Sequence, residues 1–229
     1  MPIEVLKRID DPRLVLGIAE VEGGEVREAS AELKAIAAEL AARIIETAWE
    51  IPEEQRRSVR NLLKLGGFSA TGRNRPAHEL LVNDLKERGE FHHINNVVDV
   101  NNVLSLETLL PISIFDLDKL TAPVSVRIGE VGEGYVFNAS GQWLDVKRCI
   151  VCCHHPAGAP GAGDVGEPIG SPVKDSMATK LFPPASRILG VIYGPSETCS
   201  AAQMAAHAQR FAELLAQETG GRIVQSRVL

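Results

Sequence analysis

The sequence predicts an α+β fold, one domain in which mixed β-sheets are flanked by helices. Segments with helical apolar spacing are interspersed with short β-branched segments, and no repeat or linker divides the 229 residues. The apolar share of 45% and the charged share of 24% are ordinary for a soluble globular protein. We therefore expect residues 1–229 to form a single domain that needs neither a disulfide nor a metal to fold.

The first part of the chain is predicted to form a strand and then three helices. Residues 14–21 are apolar and rich in β-branched side chains, which is typical of a strand. Apolar residues at helical spacing predict an amphipathic helix over residues 28–49. Proline opens and glycine closes two further helices, one over residues 52–66 and one over residues 76–89.

The middle of the chain is predicted to alternate between strands and brief helical turns. Residues 94–100 and 112–115 have the apolar composition of short strands. Residues 105–110 are expected to form a helical turn or two. Residues 124–128 alternate between apolar and polar side chains, as a half-buried strand does.

The last part of the chain begins with a glycine- and proline-rich segment, residues 155–172. We predict a loop there, and loops of this length are uncommon unless they are functional or disordered. Residues 187–193 are predicted to form a core strand, and residues 222–228 a final strand. Between them, Ser200 and Gln203 match a capping box at the start of a helix.

Arg73, Arg75 and Glu79 surround the start of the predicted third helix. Arginine side chains bind phosphate or carboxylate, and a helix N-terminus adds a favourable field for anions. A structural salt bridge that orients the helix explains the same residues. We expect Arg75 and Glu79 to pair mainly for structural reasons, because an i to i+4 spacing brings two side chains together on a helix.

Asn101 and Asn102 follow the predicted strand over residues 94–100. Adjacent amides at such a junction can cap the next helix. They can equally present hydrogen-bond donors and acceptors to a small polar ligand. Asp99 and Asp116 flank the region, but their spacing alone does not establish a carboxylate pair.

Residues 170–180 combine small hydroxyl side chains, one carboxylate and two lysines. This set suits contact with a terminal adenosine or a phosphate of tRNA. A polar loop before a strand explains it as well. The candidate ligand-binding residues of this segment are Gly170, Asp175, Ser176 and Thr179.

The densest group of potential metal ligands lies at residues 149–155, Cys-Ile-Val-Cys-Cys-His-His. Thiolates and imidazoles at this density suggest zinc. In a strand, however, Cys152 and Cys153 would point to opposite faces and could not easily share an ion. We therefore expect buried cysteines, with no metal and no cofactor. Zinc and a reactive thiol remain the alternatives.

Several of these blocks resemble a known family. The runs at residues 97–103 (Val-Val-Asp-Val-Asn-Asn-Val) and 110–116 (Leu-Pro-Ile-Ser-Ile-Phe-Asp) resemble the B3/B4 domain of the phenylalanyl-tRNA synthetase beta subunit, as do Val-Arg-Ile at residues 126–128 and Gly-Glu-Gly-Tyr at residues 132–135. The spacing between the blocks also matches. Residues 73–81 resemble free-standing relatives of that domain. The best-matching core covers about residues 66–193.

The resemblance implies an α+β fold with a pocket that hydrolyses the ester between a noncognate amino acid (tyrosine, in the synthetase) and tRNA. Asn101 and Asn102 match its pocket residues, whereas Ser113 stands where the bacterial synthetase has a histidine. We predict catalytic roles for Asn101, Asn102 and Ser113, and we expect Asn102 and Ser113 to line one pocket with part of residues 170–180. The candidate substrate-binding residues are Arg73, Arg75, Glu79, Asp116, Gly170, Asp175, Ser176 and Thr179.

These observations favour a free-standing editing hydrolase that deacylates misacylated tRNA and lacks the ligase catalytic domain. The alternative is a non-catalytic module that binds an amino acid, aminoacyl-tRNA or another small ligand. A metal-dependent hydrolase is a third hypothesis and depends on residues 149–155 alone.

The formal net charge of −6 argues against a sequence-independent nucleic-acid clamp, which normally has a basic excess. It is compatible with a pocket for the 3′ end of an aminoacyl-tRNA or for a small amino-acid-like ligand. No apolar run approaches the roughly 20 residues of a membrane span, and the charged N-terminus is unlike a signal peptide. We therefore expect a cytoplasmic protein without membrane contact. The oligomeric state is not predicted.

Overall fold

The computed structural model describes residues 1–156 and 165–229 and confirms the α+β class, with mixed β-sheets and flanking helices. The helices are α1 (Ala31–Ile45), α2 (Glu53–Leu63), α3 (Ala77–Arg88), α4 (Asn96–Thr108) and α5 (Ala201–Thr219). The strands are β1 (Val5–Lys7), β2 (Leu14–Glu22), β3 (Ile112–Asp116), β4 (Val124–Ile128), β5 (Gly134–Val136), β6 (Trp143–Asp145), β7 (Ile150–His154), β8 (Glu167–Gly170), β9 (Arg187–Pro195) and β10 (Arg222–Val228).

The strands form two larger sheets and one hairpin. The antiparallel sheet has the order β10-β2-β9-β3, so β3 is an edge strand. The mixed sheet has the order β1-β4-β7-β8, in which β1 runs parallel to β4 and the other pairs are antiparallel. Strands β5 and β6 pair with each other as a separate hairpin.

The two sheets pack face to face, and the helices cover the other face of the antiparallel sheet. Leu16 and Ile18 of β2 belong to one buried cluster with Val126 of β4, between the sheets. Ala19 of β2 belongs to a second buried cluster with Phe211 of α5, on the helical side. Because side chains alternate along a strand, β2 and β9 are buried on both faces, which explains their nearly continuous apolar sequences.

Most of the predicted elements are confirmed, with boundaries moved by a few residues. Helices α1, α2 and α3 correspond to the three predicted helices, and the predicted capping box of Ser200 and Gln203 is present at the start of α5. Strands β2, β3, β4, β9 and β10 also match their predictions. No helix in the described ranges has the length and apolar character needed to cross a membrane.

The predicted strand over residues 94–100 is wrong, because these residues begin helix α4. The Asn95 side chain accepts a hydrogen bond from the Val98 amide and caps the helix. Val97, Val100 and Val103 are fully buried, because α4 packs against α1, α3, α5 and β3. A helix that is buried on most of its circumference shows no amphipathic period, so its apolar run was indistinguishable from that of a strand.

The predicted loop over residues 155–172 is also partly wrong. Strand β8 occupies Glu167–Gly170 and pairs with β7. Residues 157–164 of that prediction lie outside the described residues.

Glu79 forms the predicted salt bridge at the start of α3, but its partner is Arg60 of α2 and not Arg75. The Arg60 guanidinium donates two hydrogen bonds to the Glu79 carboxylate, at 2.7 and 2.6 Å. Arg75 precedes Pro76 and is extended (φ −65°, ψ 154°), so it lies outside the helix and the i to i+4 geometry does not form. The expected pairing of Arg75 with Glu79 is therefore wrong.

We predict that Glu79→Ala lowers the free energy of unfolding by about 2 kcal/mol, because it leaves the partly buried Arg60 without its carboxylate partner. Arg75→Ala is the matched control and should change it by less than about 0.5 kcal/mol. Urea denaturation of both variants measures the difference. Equal losses in the two variants would contradict the assigned pairing.

Candidate functional site

A cavity of about 770 Å³ opens beside helices α3 and α4. The edge strand β3 contributes Ile112 and Ile114 to its lining. The remaining lining comes from residues 171–182 and from Phe137 and Asn138, next to strand β5. A cavity of this size falls within the usual range for small-molecule sites.

About half of the residues that line this cavity are apolar, and the rest are polar or charged, among them Asp84, Glu87 and Arg88 of α3. Its apolar side chains include Leu80, Leu85, Phe91, Val98, Leu106 and Ile114. Phe182 and Ile94 also line it and are 52% and 56% exposed, so they belong to its mouth. The polar lining includes Asn101, Asn102, Lys174, Asp175 and Lys180.

Asn101 and Asn102 lie in the middle of α4 and both line the cavity. The Asn101 side chain donates a hydrogen bond from Nδ2 to Oδ1 of Asn102, at 3.3 Å. Asn101 is buried, and its own Oδ1 has no hydrogen-bond partner among the described residues. The two amides therefore form one polar strip on an otherwise apolar helix surface.

Asp175 places a carboxyl group at the free edge of β3. Its Oδ2 accepts a hydrogen bond from the Ile114 amide at 3.0 Å, and its buried Oδ1 lies beside Gly170. A side chain on Gly170 would collide with this Oδ1, so the glycine provides the space that the carboxyl occupies. Burial raises the pKa of Asp175 to about 7, against the smaller effects of the Ser113 hydroxyl and the Ile114 amide.

Ser113 does not line the cavity, so the expectation that it faces the same pocket as Asn102 is wrong. Since side chains alternate along β3, Ile112 and Ile114 face the cavity and Ser113 points toward the mixed sheet. There its hydroxyl accepts a hydrogen bond from Tyr193 Oη at 3.1 Å and donates to the Ser171 carbonyl at 3.2 Å.

Three other candidate residues make local structural contacts and do not line the cavity. Asp116 accepts a hydrogen bond from the Asp118 amide and pairs with Lys119 at 3.0 Å. Ser176 caps a short helical turn by accepting from the Ala178 amide. Thr179 is buried within that turn.

Arg73 also lies outside the cavity lining. It is exposed on a short turn before α3. Its positive charge lies close enough to Lys174 to help lower the pKa of that amine, although burial is the larger cause. Arg73, Arg75 and Glu79 thus all lie outside the cavity lining.

The two lysines of residues 170–180 were noted in the sequence, but the aromatic side chains of the cavity were not. The Lys174 ammonium lies 4.0 Å from the centroid of the Phe137 ring. Tyr135 donates a hydrogen bond to the Lys174 carbonyl at 2.6 Å and thereby holds the turn that precedes Asp175. The Gly-Glu-Gly-Tyr block was a visible signal for Tyr135, but its partner lies 39 residues away in sequence.

The predicted strand alternation of the cysteines is confirmed. Cys153 belongs to one buried cluster and Cys152 to the other, on opposite faces of β7. Burial raises the pKa of Cys149 and of Cys153 to about 12 each, so both stay thiols near neutral pH. Within residues 1–156 and 165–229, no three histidine, cysteine or acidic side chains are grouped as a metal site.

Comparisons with known proteins match the region that forms most of the cavity. Residues 68–159 match the family model of the B3/4 domain. A solved N-terminal fragment of the phenylalanyl-tRNA synthetase beta subunit from Pyrococcus horikoshii is similar with a TM-score of 0.47 and 13% identity, covering 97% of this chain and 50% of that one. The chain thus spans about half the length of that fragment. No curated protein sequence matches the chain.

We predict that Asp175→Asn changes the pH dependence of stability. The folded-state pKa of about 7 lies above the ordinary value of 3.8, so the wild type loses stability as pH rises between these values. The free energy of unfolding of the variant should not fall in this way. At pH 8 it should be at least about 1 kcal/mol higher than that of the wild type, since one pKa unit corresponds to about 1.4 kcal/mol.

Urea denaturation between pH 4 and pH 8 measures this difference. Asp145→Asn, at an exposed carboxylate of β6, is the control and should follow the wild-type curve. If Asp175→Asn also follows it, the carboxyl is not held protonated by its surroundings.

Proposed function

We propose that this chain, a B3/4-domain protein, binds the aminoacylated 3′ end of tRNA in the cavity and hydrolyses the ester bond of misacylated tRNA. The observation that carries the proposal is the combination of an apolar cavity of about 770 Å³ with the paired amides of Asn101 and Asn102 on one wall. The family resemblance supplies the substrate class.

The shape and composition of the cavity suit an aminoacyl-adenosine. Leu80, Leu106 and Ile114 offer apolar surface to the amino-acid side chain. Phe182, at the mouth, offers an exposed ring on which the terminal adenine can stack. Lys174 and Lys180 also line the cavity and can neutralise the terminal phosphate.

Hydrolysis here requires a positioned water more than a strong base. The water oxygen attacks the ester carbonyl carbon, the bond to the ribose oxygen breaks, and that oxygen takes up a proton, which gives a free amino acid and tRNA. The ester is already activated, so correct placement supplies much of the rate. The side-chain amides of Asn101 and Asn102 can stabilise the negative charge that develops on the carbonyl oxygen.

Binding by this site is expected to be weak and brief. The net charge of −6 removes the long-range attraction on which sequence-independent tRNA binding depends. Affinity then comes from the few contacts inside the cavity. Fast release suits a protein that must return corrected tRNA.

One observation favours the alternative, a module that binds such ligands without cleaving them. Ser113 occupies the position of the synthetase histidine, and it faces the mixed sheet instead of the cavity. The Ser113 side chain therefore does not help to activate a water molecule in the cavity. Turnover of mischarged tRNA separates the two functions.

We predict that Asn102→Ala lowers the rate of deacylation of mischarged tRNA by about 100-fold, the usual effect of removing a donor that stabilises a transition-state oxyanion. The assay follows loss of labelled amino acid from a panel of misacylated tRNAs under single-turnover conditions. Asn61→Ala removes an amide from an exposed position of α2 and should leave the rate unchanged.

The same assay tests the metal hypothesis. The rate should persist in EDTA and in a Cys152→Ser/Cys153→Ser variant, because the two thiols face opposite sides of β7. If chelation abolishes the activity and Asn102→Ala keeps it in full, the activity belongs to a metal-dependent site and the editing-pocket proposal is wrong.

A further inference from the structure

We infer that Arg73 and Lys174 form a phosphate-binding subsite at the rim of the cavity, which holds the phosphodiester on the 5′ side of the terminal adenosine. This inference rests on the proposed function, because it specifies how the strand that leaves the cavity is bound. It also implies that the 3′ end of a nucleic acid binds more tightly than a free aminoacyl-nucleoside.

A backbone hydrogen bond joins the two segments that carry these cations. The Ala77 amide at the start of α3 donates to the Pro172 carbonyl at 2.8 Å. Arg73 lies on the short helical turn Gly72–Asn74, which directly precedes α3, and Lys174 follows closely after Pro172. Because Ala77 and Lys174 both line the cavity, the two cations belong to the same side of its rim.

The position of Lys174 is fixed by its neighbours. Its ammonium lies 4.0 Å from the centroid of the Phe137 ring. Its carbonyl accepts hydrogen bonds from the Tyr135 hydroxyl at 2.6 Å and from the Ser171 hydroxyl at 3.1 Å. Because the lysine is already ordered, a ligand that binds its ammonium loses less side-chain entropy.

Neither cation has an acid as its partner in the described ranges. Glu79, the nearest acid to Arg73 along the chain, pairs with Arg60, and Asp175 binds the backbone of β3. Burial lowers the pKa of Lys174, and the positive charge of Arg73 lowers it further, so the two cations lie close enough to repel each other. An anion bound by both of them removes this repulsion.

The location of the pair identifies the anion. Arg73 is exposed and outside the cavity lining, so it contacts the part of a ligand that extends out of the cavity and not the aminoacyl group. An aminoacyl ester has no free carboxylate, and the anion next to its terminal adenosine is a phosphodiester. The planar guanidinium of Arg73 can donate two hydrogen bonds to phosphate oxygens, and Lys174 adds a second positive charge.

The test compares two probes that differ in one charge. Both contain 3′-(L-phenylalanylamino)-3′-deoxyadenosine, whose amide is not cleaved as an ester. One carries a methyl phosphodiester at its 5′ oxygen, and the other carries the neutral methyl methylphosphonate of nearly the same shape. Isothermal titration calorimetry at pH 7 should show that the wild type binds the charged probe at least about 5-fold more tightly, since one exposed ion pair contributes a factor of up to about 5.

Arg73→Ala and Lys174→Met should each lower this preference by at least about 2-fold, and the double variant should bind both probes equally to within about 2-fold. The affinity for the neutral probe should change by less than about 3-fold. Arg57→Ala removes the same charge from an exposed position of α2 outside the cavity lining and should keep the wild-type preference. Thermal unfolding establishes that each variant is folded.

Inorganic phosphate is the third probe, because a free phosphate ion has the same chemistry as the phosphodiester. It should not compete with the charged probe at about millimolar concentration, since two ion pairs of this strength hold a free ion only weakly. Competition at that concentration assigns the site to free phosphate and overturns the inference.

The other outcomes separate this inference from the proposed function. Equal binding of the charged and neutral probes, or a preference that survives in the double variant, overturns the inference even if mischarged tRNA is deacylated. A preference that depends on Arg73 and Lys174 supports it, even if no tRNA is deacylated and the hydrolase proposal fails. If neither nucleoside probe binds, both proposals are wrong.

Discussion

Both faces of the antiparallel sheet are covered, one by helices and the other by the mixed sheet, and the remaining structure is arranged around this burial. Strands β2 and β9 form its centre and have almost no exposed side chains. Gly190 of β9 lets α5 approach closely, because a side chain there would collide with the Phe211 ring. The helices are therefore seated directly on the sheet, and α4 is held between α5 and α1.

The position of the cavity depends on the contacts at the edge of that sheet. Among the residues that the structure describes, strand β3 pairs with β9 alone, so the backbone groups of its other edge need other partners. Asp175 supplies one by accepting from the Ile114 amide. The same contact brings residues 171–182 beside α4, where Asn101 and Asn102 lie. A structural requirement of the sheet edge thus places a carboxyl group in a ligand-sized cavity.

The sequence predicted the elements whose signals are local. Proline and glycine marked α2 and α3, the capping box marked α5, and alternation marked β4. The prediction for α4 was wrong. Residues 97–103 are rich in β-branched side chains and show no amphipathic period, but tertiary packing stabilises them as a helix. Asn95, which caps α4, was the local signal that could have corrected this.

The site was predictable only in part for the same reason. Asn101, Asn102 and Asp175 were candidates from their chemistry, and the structure places all three in one cavity. The side on which Ser113 lies depends on the face that β3 presents to the helices, and the partner of Glu79 depends on how α2 packs near α3. Neither can be derived from spacing along the chain.

A crystal structure with 3′-(L-phenylalanylamino)-3′-deoxyadenosine tests the central claim most directly. The account predicts the phenylalanyl group inside the cavity, against Leu80 and Leu106, with its carbonyl oxygen within hydrogen-bond distance of the Asn102 side-chain amide. A ligand bound elsewhere on the protein, or bound in the cavity with its carbonyl oxygen directed away from Asn102, would contradict it.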